Sequence, residues 1–290
     1  PDVEPGSGPR SVAIGTFDGV HLGHREVIKG ADTVLTFDPH PLSVIHPAAL
    51  PKLIMPFGVK RDVIEGLGVR ELVVIPFDEE FARRSAEEFV EHVLIEKLGA
   101  EKVSVGENFR FGAKAKGDPE MLASRPEFET RVVPLVEVDG ETVSSTRIRA
   151  LIAAGDMAGA RRCLGAPFMV EGTVVEGDQR GRELGFPTAN IVPDDRLAYP
   201  GHGVFAAFAD GVPAAVNVGV RPTFDSGRGV LIETYLIDRD ENLYGRTLRV
   251  AFVERLRGEK RFASVEELIA QMRIDVEDAK RVCASFTPAQ

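Results

Sequence analysis

The sequence predicts two folds in series: an α/β unit built on a parallel sheet, followed by an antiparallel β-barrel with a terminal helix. Three observations carry this prediction. In the first half, short apolar runs alternate with helical stretches, the pattern of strands joined by crossover helices. After Pro167 the runs become β-type and are broken at short intervals by Gly, Asp-Gly and Pro, as in an antiparallel barrel. The 290 residues make about two domain lengths.

The first ten residues, PDVEPGSGPR, read as a loose tail with no apolar signal region. SVAIGTF (11–17), VLTF (34–37), LVVIPF (72–77) and KVSVGENF (102–109) each read as a buried strand. Between the last two, SAEEFVEHVLIEKLG (85–99) places Phe89, Val93 and the Val90/Leu94 pair at helical spacing, with Ser85 as N-cap and Gly99 as stop. A helical segment, STRIRALIAAGDMAGARRCLG (145–165), closes the unit, and Ala166-Pro167 is the expected boundary, giving domains 1–166 and 167–290. The runs FMVEGTVVEG, GVFAAFADG, PAAVNVGV, VLIETYLID and TLRVAFVERL supply the barrel strands. Behind Ser264 and Glu267, the tail 264–284 carries Leu268, Met272 and the Val265/Ile269 pair on one stripe, so it is expected to cover the barrel. No repeat or low-complexity tract is present.

Composition limits function. With 43% apolar and 28% charged residues the composition is ordinary for a globular chain and argues against disorder throughout. Asp and Glu number 45 against 35 Lys and Arg, and a net charge of -10 argues against nucleic acid or an anionic membrane as partner. Local basic pockets stay compatible with it. Cys163 and Cys283 are far apart in sequence and outside any paired metal-ligand spacing, which argues against a disulfide framework and a cysteine zinc site and fits a reducing cytoplasm. No window approaches a membrane span.

The first chemical constellation is SVAIGTFDGVHLGH, a strand, a glycine-bearing turn, and His21 and His24 three apart across a helix start. That spacing puts both imidazoles on one face, beside the unpaired N–H groups of a helix N-terminus, which suits an anion such as phosphate. Gly15, Gly19 and Gly23 let the backbone approach a ligand, while Phe17 and Leu22 can anchor the loop. A turn with merely hydrogen-bonded histidines is the alternative. The stretch resembles the HxGH nucleotidylyltransferases, and TFDPHP (36–41) makes it similar to their flavin-adenylating branch, with a Rossmann-like fold. That resemblance implies that His21 and His24 stabilise charge on the α-phosphate of ATP, with Gly15, Phe17, Asp18 and Gly19 around the nucleotide. GENFRFG (106–112) resembles the family's flavin and nucleotide contact loop, which implies a flavin role for Asn108 and Phe109; a strand end with a polar turn is the plainer reading. Asp38 and His40 fall just past a strand, the usual ligand-facing edge, and are expected at the flavin. SSTRIR (144–149) resembles the second phosphate motif, implying that Ser144, Ser145, Thr146 and Arg149 meet the triphosphate, where either Arg147 or Arg149 can neutralise its charge; alternatively it is a helix cap followed by solvated arginines. One departure stands out: only eleven residues, Arg25 to Leu35, separate His24 from Thr36, where members have a longer helix and loop. The first crossover is therefore tight, through a shortened helix or an omitted segment.

The second constellation is EGTVVEGDQRGRELGFPTANI (171–191), whose GRELGFPTAN resembles the hallmark of riboflavin kinases. Thr188 and Asn190 stand two apart after Pro187, where extended backbone projects both oxygens to one side as hard ligands for Mg²⁺, and with it ATP. Gly177, Gly181 and Gly185, with Arg182, are expected near the phosphates, since no GxxxxGK[ST] loop exists in the chain. NVGVRPTF (217–224) and LIETYLID (231–238) also resemble kinase segments, and the family's catalytic carboxylate falls on Glu233, as general base on the ribityl 5′-hydroxyl. From alternation alone, a solvent-facing Glu is the ordinary reading of such a strand.

Together these motifs identify the chain as similar to the bacterial bifunctional riboflavin kinase/FAD synthetase family from about Ser11 to Ala284. The resemblance implies phosphorylation of riboflavin to FMN by the C-terminal domain and adenylyl transfer to FMN, giving FAD and pyrophosphate, by the N-terminal one. ATP, riboflavin and FMN are the expected partners, with Mg²⁺ as cofactor; self-association is compatible with the sequence. A flavin-storing or regulatory protein that has lost one or both activities is the rival reading, and an adenylyl- or cytidylyltransferase with a different acceptor is a third.

Overall fold

In a computed structural model of the chain, the described residues are 9–176, 181, 184–221, 229–239 and 241–286. They divide into two compact units, 1–51 with 56–145, and 52–55 with 146–290.

The first unit holds a five-stranded parallel sheet in the order β3-β2-β1-β4-β5. Its strands are β1 (Arg10–Ile14), β2 (Thr33–Asp38), β3 (Glu71–Pro76), β4 (Ala100–Gly106) and β5 (Glu129–Val133). Val12, Ile14, Leu35, Val103 and Val105 on one face and Ala13, Val34 and Thr36 on the other are all buried, as in strands covered on both faces. β5 escaped the sequence reading because ETRVV is an edge strand with only Val133 buried. Arg10, assigned to the loose tail, instead opens β1: it is buried, ion-paired to Glu71 at 2.6 Å, and donates to the Leu98 carbonyl. The tight first crossover is completed by a seven-residue helix, Leu22–Ile28, because the connection begins at Gly15 and not at His24. The helix after Ser85 has the expected capping box with Glu88, but it continues from Ala86–Phe89 into a π-helical stretch, Val90–Lys97. The widened turn, closed by Leu98 N on the Val93 carbonyl, still buries Phe89, Val90, Val93 and Leu94. Gly99, at φ +56°, ends it. A small hairpin, β6 (Glu137–Val138) with β7 (Glu141–Thr142), precedes Ser144.

The second unit is a closed antiparallel barrel, β10-β11-β12-β9-β8-β13. Its strands are β8 (Phe168–Val175), β9 (Ala189–Ile191), β10 (Gly203–Ala209), β11 (Val212–Arg221), β12 (Gly229–Leu236) and β13 (Thr247–Arg257). Phe168, Phe205 and Phe252 fill its interior, Phe205 meeting Phe252 edge-on at 5.5 Å. The closing helical segment is two helices, Ser145–Ala154 and Met157–Leu164, since Gly155 turns at φ +78° and Asp156 caps the second. The terminal helix Val265–Ser285 is capped by Ser264 and packs on β10, β11 and β13. Leu268 and Met272 are half-buried as expected; Val265 is exposed, because the covered stripe runs through Asp275, Ala279 and Cys283. No helix among the described residues is long and apolar enough to cross a membrane.

Candidate active sites

The strand order of the first sheet reverses at β1, whose neighbours are β2 and β4. In an open parallel sheet that is where a crevice opens beyond the carboxyl ends. The loop leaving β1 there is held in an unusual backbone path: Phe17 and Val20 both take positive φ, +50° and +38°, and are fully buried. A β-branched residue in that region is unfavourable, so packing and not local preference fixes the loop. His21 then caps the helix Leu22–Ile28, its Nδ1 accepting the His24 backbone N–H at 3.3 Å. A neutral His21 therefore carries its proton on Nε2. The two imidazoles stack at 3.5 Å, and Phe17 meets His24 edge-on at 5.4 Å. Gly23 permits this: a Cβ there would press on the His21 ring at 3.2 Å. Burial, then the charge of His21 and Lys60, hold His24 well below the ordinary imidazole range. Its Nδ1 is buried with no hydrogen-bond partner among the described residues.

Of the other predicted residues, Asp38, His40, Asn108 and Phe109 lie at or just past the same strand ends, and Ser145 joins this loop. Ser145 Oγ donates to the Asp18 carbonyl at 2.9 Å, tying the second phosphate motif to the histidine loop. Asp38 ends β2 in an exposed position, and His40 caps the helix Pro41–Ile45 by accepting from Leu42 N, a local structural role. Asn108 is exposed just past β4, while Phe109 stacks on Phe111 at 5.5 Å. Thr146 and Arg149 belong to the second unit, where Arg149 Nε donates to the Lys52 carbonyl. Sequence reasoning missed Lys60, on the helix Phe57–Gly66, whose Nζ donates to the Thr16 carbonyl at 3.2 Å. No local pattern marks that lysine among its helical neighbours.

In the barrel, register builds the site. Asn190 on β9 lies opposite Glu233 on β12, which lies opposite Asn217 on β11. Directly opposed residues project to one face, so an amide, a carboxylate and a second amide form a row across three strands. Asn217 Nδ2 donates to Glu233 Oε2 at 2.9 Å. Glu233, Asn217, Tyr235 and Thr188 line a cavity of about 740 Å³, roofed by Leu268 and Met272 of the terminal helix. Thr188 also lines a second cavity of about 210 Å³, with Asn190, Asn242 and Tyr244. Gly181 packs against this wall: a Cβ would meet the Phe186 carbonyl oxygen at 2.5 Å, and its own carbonyl accepts from Leu184 and Phe186 N–H. Gly185 turns at φ +86°. Gly177 and Arg182 lie outside the described residues. Asn217, Arg257 and Asp275 were not singled out from sequence; Arg257 binds Asp275 through Nε and Nη2, at 2.7 Å in the shorter contact, beside the larger cavity.

Among the described residues no cluster of three or more His, Cys, Asp or Glu could hold a metal. The pair Thr188 and Asn190 instead offers hydroxyl and amide oxygens on one cavity wall. Such hard oxygen donors suit Mg²⁺ that keeps most of its shell as water and substrate phosphates.

Residues 5–147 match the FAD synthetase family and residues 164–283 the riboflavin kinase family. The chain is 34% identical over 296 residues to the bifunctional riboflavin kinase/FMN adenylyltransferase of Escherichia coli K12, covering 96% of this chain and 94% of that protein. It is 35% identical to the Bacillus subtilis 168 protein of the same name, covering 93% and 91%. A crystal structure from Streptococcus pneumoniae, named a macrolide-efflux protein, superposes with a TM-score of 0.85 at 31% identity, over 98% of this chain and 97% of that one. The two motif sets, each on the scaffold expected for it, and this likeness along nearly the whole length place the chain in the bifunctional riboflavin kinase/FMN adenylyltransferase family.

Proposed function

We propose that residues 1–166 carry the adenylyl transfer, from ATP to FMN with release of pyrophosphate, and residues 167–290 the phosphorylation of riboflavin to FMN. The row Asn190–Glu233–Asn217 carries this reading, because it sets a carboxylate beside the candidate cation ligands at the junction of two cavities. In the barrel, Glu233 accepts the proton of the ribityl 5′-hydroxyl as that oxygen attacks the γ-phosphorus of ATP and ADP leaves. The Asn217 donor fixes the carboxylate's orientation. Riboflavin takes the larger cavity, against Tyr235 and the terminal helix, and the nucleotide takes the smaller one, beside Asn242 and Tyr244. Thr188 and Asn190 would hold Mg²⁺ there; when bound, it neutralises phosphate charge.

In the first unit a phosphate oxygen of FMN attacks the α-phosphorus and pyrophosphate departs, so no protein nucleophile is required. His21 and His24 donate to the oxygens on which charge develops, in a loop already locked by Phe17 and Val20. Asp38, Asn108 and Phe109 approach the flavin, and Ser144 and Ser145 the triphosphate. A flavin store without catalysis is not favoured, since His21, His24, Thr188, Asn190 and Glu233 are all present.

Incubation with riboflavin, ATP and Mg²⁺, followed by chromatographic separation of flavins, tests the assignment. FMN and then FAD should accumulate. No FMN would remove the kinase assignment; FMN without FAD would remove the adenylyl-transfer one.

A further inference from the structure

Lys60 reaches the carboxyl edge of the first sheet from the helix Phe57–Gly66. Its Nζ is 3.2 Å from the Thr16 carbonyl oxygen and 3.5 Å from Thr36 Oγ1. Thr16 immediately precedes the buried Phe17–His21 loop, and Thr36 stands two residues before Asp38 ends β2. The ammonium therefore lies between the two strand ends from which the histidine loop and Asp38 emerge. No carboxylate among the described residues forms an ion pair with it; Asp18 and Asp38 favour its charge from farther away, against a larger effect of burial. The same charge disfavours protonation of His24, so cation and imidazole share one electrostatic environment. A half-buried ammonium held at a ligand-facing edge by a carbonyl, with no anion to complete it, is costly to maintain unless a ligand brings the negative charge.

We propose that Lys60 is a phosphate-holding residue of the adenylyl-transfer site, its ammonium bound to the anionic oxygens of the ATP triphosphate and of the pyrophosphate that leaves. This rests on the reading that the first unit adenylates FMN. The lysine acts by charge and position; His21 and His24 remain the groups at the α-phosphate.

The variants K60Q and K60R separate charge from hydrogen bonding, since Gln keeps a donor for the Thr16 carbonyl and Arg keeps the charge. Adenylation of supplied FMN is measured with ATP varied and with pyrophosphate added as inhibitor. In K60Q the KM for ATP should rise and inhibition by pyrophosphate should weaken, each by roughly tenfold or more, as for loss of a charged hydrogen bond. K60R should keep most of the wild-type values, and FMN formation from riboflavin should be unchanged in both. Wild-type KM for ATP and wild-type pyrophosphate sensitivity in K60Q overturn the proposal, as does a rise confined to the KM for FMN. If K60Q is less stable, the rise in Tm on adding pyrophosphate decides: a smaller rise than wild type supports the proposal and an equal one overturns it. Absence of FAD formation by the wild-type protein would defeat the underlying reading instead.

Discussion

His24 sits stacked on His21 with a neighbouring ammonium, and burial is the first reason it resists protonation. Its folded pKa lies below that of the unfolded chain, so the unfolded state binds more protons as pH falls through about 6.5. The contribution of His24 to the stability of the first unit is fully present above that range and is lost progressively below it. Thermal unfolding followed from pH 7.5 to 5 should show this loss, and His24→Asn should flatten it; an equally steep profile in the variant would refute the assignment. In the barrel, Asn217→Ala should lower kcat for FMN formation by about tenfold, the effect of losing one hydrogen bond to a charged group, with KM for ATP nearly unchanged. An unaltered kcat would show that Glu233 needs no orienting partner. The histidines and Glu233 were legible in the sequence because their motifs are contiguous; Asn217 and Lys60 were not, since the contacts that matter span 16 and 44 residues.

At the scale of elements, the terminal helix was readable from its cap and stripe, but its attachment was not. Arg257 on β13 grips Asp275, which also accepts from Gln271 one turn earlier, and the helix thereby roofs the larger cavity with Leu268 and Met272. Breaking the pair strands a largely buried charge. Asp275→Ala should cost about 2–4 kcal/mol, somewhat under the range for a fully buried pair because Arg257 keeps some solvent contact. It should also raise the KM for riboflavin more than that for ATP. Denaturant unfolding and steady-state kinetics check both, and a stable variant with unchanged KM values would deny the helix its role as roof. The helix after Ser85 shows the converse case: cap, stripe and stop were all correct, yet side-chain spacing does not distinguish the π-helical turns of Val90–Lys97 from α-helical ones.

For the whole molecule, two sites on two scaffolds imply separable activities. Glu233→Gln should abolish FMN formation while supplied FMN is still adenylated, and His21→Ala should do the reverse. Chromatography of each variant's products decides, and loss of both activities in a folded single mutant would contradict a two-site enzyme. By itself the sequence determined the fold class of each half, the order of four of the five sheet strands and five of the six barrel strands, the residues of both motifs and the absence of a Walker loop, because periodicity, caps and turn residues act between neighbours along the chain. Tertiary structure alone decided that a three-residue strand would seat Asn190 beside Glu233, that an exposed edge strand would complete the first sheet, and that Lys60 would meet the histidine loop. Those outcomes depend on register and packing between distant segments, where the free energy is gained only after the chain has closed on itself.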